Sequence, residues 1–143
     1  MSPSFNYDNT LVDQNPPDFF TMKNIKIYNQ THPLKAPILA KYCQSFFCQL
    51  RGLMFTASLP ESTGLLLVQG SDSRVNSSIH MMFMRMDLAV IWIDSKYAVV
   101  DSVLARRWKF AYLPQRAAKY VLETDVSSLN AFNVGDKVRF EDS

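Results

Sequence analysis

The sequence predicts a mainly β fold: a small single-domain, sandwich-like or barrel-like structure with one or two short helices. Three observations carry this expectation. The runs Leu65–Val68, Ile79–Met84 and Leu88–Ile93 are apolar on both faces, as strands in a sandwich or small barrel are. Ile25 and Ile27 alternate with Lys26 and Tyr28, the period-2 pattern of a half-buried strand. Turn residues separate the runs, among them Asp94-Ser95-Lys96 and Val134-Gly135-Asp136.

The elements follow in chain order. Residues 1–21 hold Asp8, Asp13 and Asp18, no Lys or Arg, and the breakers Pro3, Pro16 and Pro17, so they read as an acidic tail. The remaining segment, 22–143, reads as one mostly β domain with fifteen basic against ten acidic side chains, a net +5 that the tail partly screens. Pro33 and Pro37 bracket a bend before an extended Ile38–Tyr42. Ser45 is placed to cap a short helix over Phe46–Arg51, which Gly52 ends, with Phe46, Phe47 and Leu50 on one face. After Leu88–Ile93, the Asp94 turn leads into Tyr97–Val103, and Tyr120–Leu122 makes another short strand. Asp125 is placed to cap a single helical turn through Leu129. In the last strand, Lys137–Phe140, Val138 and Phe140 face inward while Lys137 and Arg139 face solvent.

Composition excludes several function classes. The chain has 143 residues, enough for a core that needs no metal or disulfide staple. Its net charge of +2 does not by itself imply a polyanion partner. Four glycines and two histidines leave little material for a phosphate loop or a histidine metal site. The longest apolar run, Leu88–Ile93, falls far short of a membrane-spanning helix. Cys43 and Cys48 form a C-x4-C pair without a second pair, so no cofactor or metal is expected and the two are read as free thiols. The start of the chain has neither a basic n-region nor an apolar h-region, which gives a cytoplasmic expectation.

Five blocks carry a resemblance: CQSFFCQLRGLMF (43–55), GLLLV (64–68), SIHMMFMRMDLAVIWID (78–94), YVLE (120–123) and VGDKV (134–138). In this order and spacing they resemble the widespread bacterial and archaeal family called domain of unknown function 192. The resemblance implies a compact, mainly β, sandwich-like fold and brings no established activity, cofactor or catalytic residue. It also exposes a departure. Where members usually carry proline, an aliphatic residue and aspartate, this chain has Asp87, Leu88 and Ala89. The usual acid is therefore missing, or rebuilt two residues earlier as Asp87.

Several constellations could carry chemistry. His80, Arg85 and Asp87 could supply a base, an anion clamp and a carboxylate, although no nucleophile motif accompanies them. The plainer reading is a core histidine beside a turn ion pair. Arg51, near a helix end, is explained by the helix dipole and loop carbonyls. Asp94 and Asp101 form a possible acid–base pair, but Asp94 stands where a turn needs an aspartate. Met81, Met82, Met84 and Met86 suit core filling better than a soft-metal site.

The densest basic and aromatic cluster is Arg106-Arg107-Trp108-Lys109-Phe110. Such a loop can stack on a ring and neutralise phosphate, yet three basic residues make a poor nucleic-acid footprint. The expected function is thus a small non-enzymatic binding module that contacts a protein or small molecule through the Trp108 loop and the Arg85 rim. The alternatives are an enzyme centred on His80, Arg85 and Asp87, or a weakly basic nucleic-acid binder using Arg106, Arg107 and Trp108.

Overall fold

A computed structural model describes residues 23–44, 48, 53, 57–109 and 111–143. The tail 1–21 and most of the helix expected over Phe46–Arg51, Arg51 included, lie outside the described residues; Cys48, within that stretch, is helical.

Seven strands are found among the described residues: β1 (Asn24–Asn29), β2 (Ile38–Cys43), β3 (Thr63–Ser73), β4 (Leu88–Ile93), β5 (Val99–Ala105), β6 (Ala118–Thr124) and β7 (Val138–Asp142). They form one mixed sheet in the order β5-β4-β6-β3-β2-β1-β7. All neighbours are antiparallel except β2 and β3, which run parallel from Leu39↔Thr63 to Cys43↔Leu67. The fold is therefore mainly β, as expected, with a sheet that curls without closing. Its two edges meet at one end, where Ala98 bridges Lys137 and the Val138 amide donates to the Tyr97 carbonyl at 2.9 Å.

The sheet buries both faces, which explains the unbroken apolar runs. Leu65, Leu67, Val90, Trp92 and Val121 share one face with Ile79, Met81 and Met84. Leu66, Val68, Ile91, Ile93 and Leu122 face the other side, against Ile25, Ile27, Ile38, Phe132 and Val138. Each central strand thus feeds alternate residues into two cores. Gly64 lets β3 and β6 approach closely, since a Cβ there would sit 2.4 Å from the Glu123 carbonyl oxygen. The Asp125 cap is present: its carboxylate accepts from the Ser127 amide at 3.1 Å and starts a 3-10 helix over Val126–Ala131.

Two expectations need correction. Ile79–Met84 is not a strand of the sheet. Ile79 makes an isolated bridge with Tyr112, and the Met84 amide turns back onto the Met81 carbonyl at 3.2 Å. Ile79, Met81 and Met84 are buried while His80, Phe83 and Arg85 are exposed, so the segment lies over the sheet face as an irregular cover. Its inward spacing shifts from two residues to three, which no regular strand sustains.

Nor are Cys43 and Cys48 free thiols. They are joined in a disulfide, with their Cα atoms 5.8 Å apart. The absence of a second cysteine pair argues against a zinc site but leaves a bond within the pair open. Cys43 is the last residue of β2 and Cys48 is helical, and their Cα separation lies within the range that a disulfide spans. Protein purified without reductant and then denatured is expected to show no titratable thiol until it is reduced, when both cysteines react. Closing so short a loop is worth roughly 2 kcal/mol, so reduction should lower the melting temperature measurably.

Candidate functional site

Two covering segments build the rim that carries the Trp108 loop. The Trp108 amide donates to the Met81 carbonyl at 2.7 Å, and the Met81 amide donates to the Lys109 carbonyl at 3.0 Å. With Met81 buried as the anchor, the two loops are locked side by side. Asp87 ties down the same loop: its carboxylate accepts from the Arg107 amide at 2.9 Å and lies 3.8 Å from the Arg107 Nε. The Tyr112 hydroxyl accepts from the Arg106 amide at 2.9 Å, and Lys109 Nζ sits 5.2 Å above the Tyr112 ring.

On this frame stand Phe83 and Trp108. Their ring centroids are 5.3 Å apart in an edge-to-face pair, and the residues are 45% and 57% exposed. Both have left-handed backbones, with φ of 63° at Phe83 and 66° at Trp108. A bulky residue in that region is strained, and the locked loops hold both aromatics there. Arg85, Arg106, Arg107 and Lys109 lie exposed alongside, so the rim is aromatic and cationic together.

The residues singled out from sequence separate into two groups. Trp108, Arg106 and Arg107 are exposed on this rim, as are His80 and Arg85. His80 is accordingly not a core histidine. Among the described residues no hydrogen bond or ion pair joins His80 or Arg85 to Asp87, which is engaged with the Arg107 loop. Asp94 is the expected turn aspartate, accepting from the Lys96 and Ala98 amides at 2.9 and 3.0 Å. Asp101 accepts from the Ser102 and Gln115 amides, and so holds its own loop rather than pairing with Asp94. Met81 and Met84 fill the core, and Met82 and Met86 are half-buried. Among the described residues, no three His, Cys, Asp or Glu side chains gather where a metal ion could sit.

Three features escaped the sequence reading. Phe83 looked like a strand residue and is half of the aromatic pair. Glu123 is buried on the central strand β6, with no described residue donating to its carboxyl group, and burial pushes its pKa from 4.5 up to about 7. An acid inside the apolar run YVLE was the available signal. The third is a contact between His32 and Asp136 beside a cleft, which their separation in sequence concealed.

The five blocks quoted above fall on β2 and the chain after it, β3, the Met81 cover with β4, β6, and the turn into β7. The model of domain of unknown function 192, described as an uncharacterized ACR, matches residues 25–140. The chain belongs to this family. A UPF0127 protein of Thermococcus sibiricus is 40% identical over 103 residues, covering 71% of this chain and 65% of that protein. Another, from Thermococcus gammatolerans, is 38% identical over 68% of this chain and 63% of its own length. The chain thus spans less than two thirds of these two relatives. A UPF0127 protein of Pyrococcus furiosus is 32% identical over 78% of this chain and 95% of its own length.

Two solved structures share the DUF192 chain's fold. A protein of Sinorhizobium meliloti, provisionally described as a transcription regulator, superposes with a TM-score of 0.74 at 13% identity, covering 88% of this chain and 98% of its own. A protein of unknown function from Novosphingobium aromaticivorans gives a TM-score of 0.70 at 14% identity, covering 89% and 94%. At such identities the likeness concerns the fold alone.

Proposed function

We propose that this DUF192 member is a non-enzymatic binding module, and that the Phe83–Trp108 rim holds a small anionic ligand with a flat face. The observation that carries the reading is the exposed, backbone-strained aromatic pair on two locked loops. Core packing does not require either ring at the surface, and strain of this kind persists where a site over-determines it. The flanking Arg85, Arg106 and Lys109 add attraction for a phosphate or carboxylate. The enzyme alternative has less to support it, since the carboxylate it would use, Asp87, accepts from the Arg107 amide and no hydrogen bond or ion pair among the described residues joins it to His80 or Arg85.

A nucleic-acid reading rests on the same rim and on the description of the S. meliloti neighbour, and the short basic stretch weakens it. No described helix is long and apolar enough to cross a membrane. The cytoplasmic placement is likewise a proposal. It requires the Cys43–Cys48 bond to persist inside the cell, as disulfides do in hyperthermophilic archaea.

The two tryptophans make the test direct. Trp92 is 1% exposed and Trp108 is 57% exposed, so ligand-induced quenching reports Trp108. Titration with adenosine monophosphate is expected to quench the emission saturably, and Trp108→Ala, which removes that reporter and is followed by calorimetry, to weaken binding by the roughly 1–3 kcal/mol of one stacked base. Unchanged emission up to millimolar nucleotide would remove the proposal. Much tighter binding of a single-stranded oligonucleotide, falling steeply with salt, would instead favour the nucleic-acid reading.

A further inference from the structure

A second site lies outside this rim. The β1–β2 loop, the approach to β3 and the 3-10 helix enclose a cleft of about 540 Å³, within the size range of small-molecule sites. His32 lines it and is held from behind by a built arrangement. Its Nδ1 lies 2.9 Å from Oδ1 of Asp136, whose side chain is 4% exposed. The other oxygen of Asp136 accepts from Asn29 Nδ2 at 2.8 Å and from the Asn133 amide at 2.9 Å. Asn29 in turn takes the His32 amide on its Oδ1 at 2.9 Å.

Burial alone would raise the Asp136 pKa, but the hydrogen bonds from Asn29, Asn133 and His32 outweigh it and hold the carboxyl below its ordinary range. An ionised Asp136 fixes the proton on Nδ1 and leaves Nε2 of His32 for a ligand. The walls supply both signs of charge, Lys35 and Glu61, and Ser62 stands there with a left-handed backbone at φ 58°.

We propose that this cleft binds a small zwitterion, with Lys35 opposing its carboxylate, Glu61 opposing its ammonium group and His32 offering an oriented ring nitrogen. An oriented histidine in a cleft lined by unlike charges suits a molecule such as an amino acid or a short peptide better than a simple anion. A purely anionic ligand would meet Glu61, and a purely cationic one Lys35.

The test is a titration of the full chain with glycylglycine, read on the histidine ring protons by NMR. The chain has two histidines, so His80, exposed on the other site's rim, is an internal reference. The expected result is a saturable shift of the His32 signals while those of His80 stay in place. Acetylating the peptide's amine, or making the exposed-site changes Lys35→Ala or Glu61→Gln, should each weaken binding about tenfold, as loss of one charged hydrogen bond does. No shift at His32, or an equal response to the acetylated peptide or in both variants, would overturn the proposal.

Discussion

Trp92→Ala is expected to cost about 3–5 kcal/mol of stability, whereas Trp108→Ala should stay within about 0.5 kcal/mol. The same substitution separates the two because of what each ring touches. Trp92 is 1% exposed on β4, packs in the core under the Met81 cover, and donates its indole N–H to the Ser77 carbonyl at 2.7 Å. Truncation leaves a large cavity and orphans that carbonyl. Trp108 is more than half exposed and meets Phe83 edge-to-face. Urea unfolding followed by circular dichroism measures both. Trp92→Phe keeps most of the volume and isolates the lost hydrogen bond, at about 1–3 kcal/mol. A large loss at Trp108 would place that ring in the structural core and withdraw it as a contact.

Glu123→Gln should stabilise the protein in alkaline solution and do nothing in acid. The folded carboxyl, with its pKa at about 7, retains a proton that the unfolded chain releases near 4.5. Stability therefore falls as pH rises between those values and stays on the lower level above them. The span corresponds to about 3 kcal/mol. Glutamine mimics the neutral acid, so the variant should gain on that order at pH 8 and match the parent at pH 4 in parallel unfolding curves. A variant less stable at both pH values would mean that the carboxylate has a partner it needs.

The strands were readable because a sheet with both faces buried demands apolar side chains at consecutive positions. Leu65–Val68 and Leu88–Ile93 show this, and they became the cores of β3 and β4. The Ile79–Met84 segment misled for the same reason: a covering loop buries apolar residues against the sheet without joining its ladder. Local chemistry was also legible, as at the Asp94 turn and the Asp125 cap, where donor and acceptor lie within four residues.

What stayed hidden was long-range. The His32–Asp136 contact crosses 104 positions and forms only because β1 and β7 pair. The aromatic pair needs Phe83 and Trp108 brought together by Met81. The disulfide, by contrast, joins cysteines only five positions apart, and their spacing alone does not distinguish a bonded pair from two thiols. None of these leaves a periodic mark in the sequence.

Amide chemical-shift mapping with adenosine monophosphate tests the contact surface most directly. The account predicts saturable shifts gathered at residues 81–85 and 106–112, the two loops locked by the Met81 hydrogen bonds, with the 3-10 helix after β6 unmoved. Shifts centred anywhere else on the sheet, or none at saturating nucleotide, would contradict it.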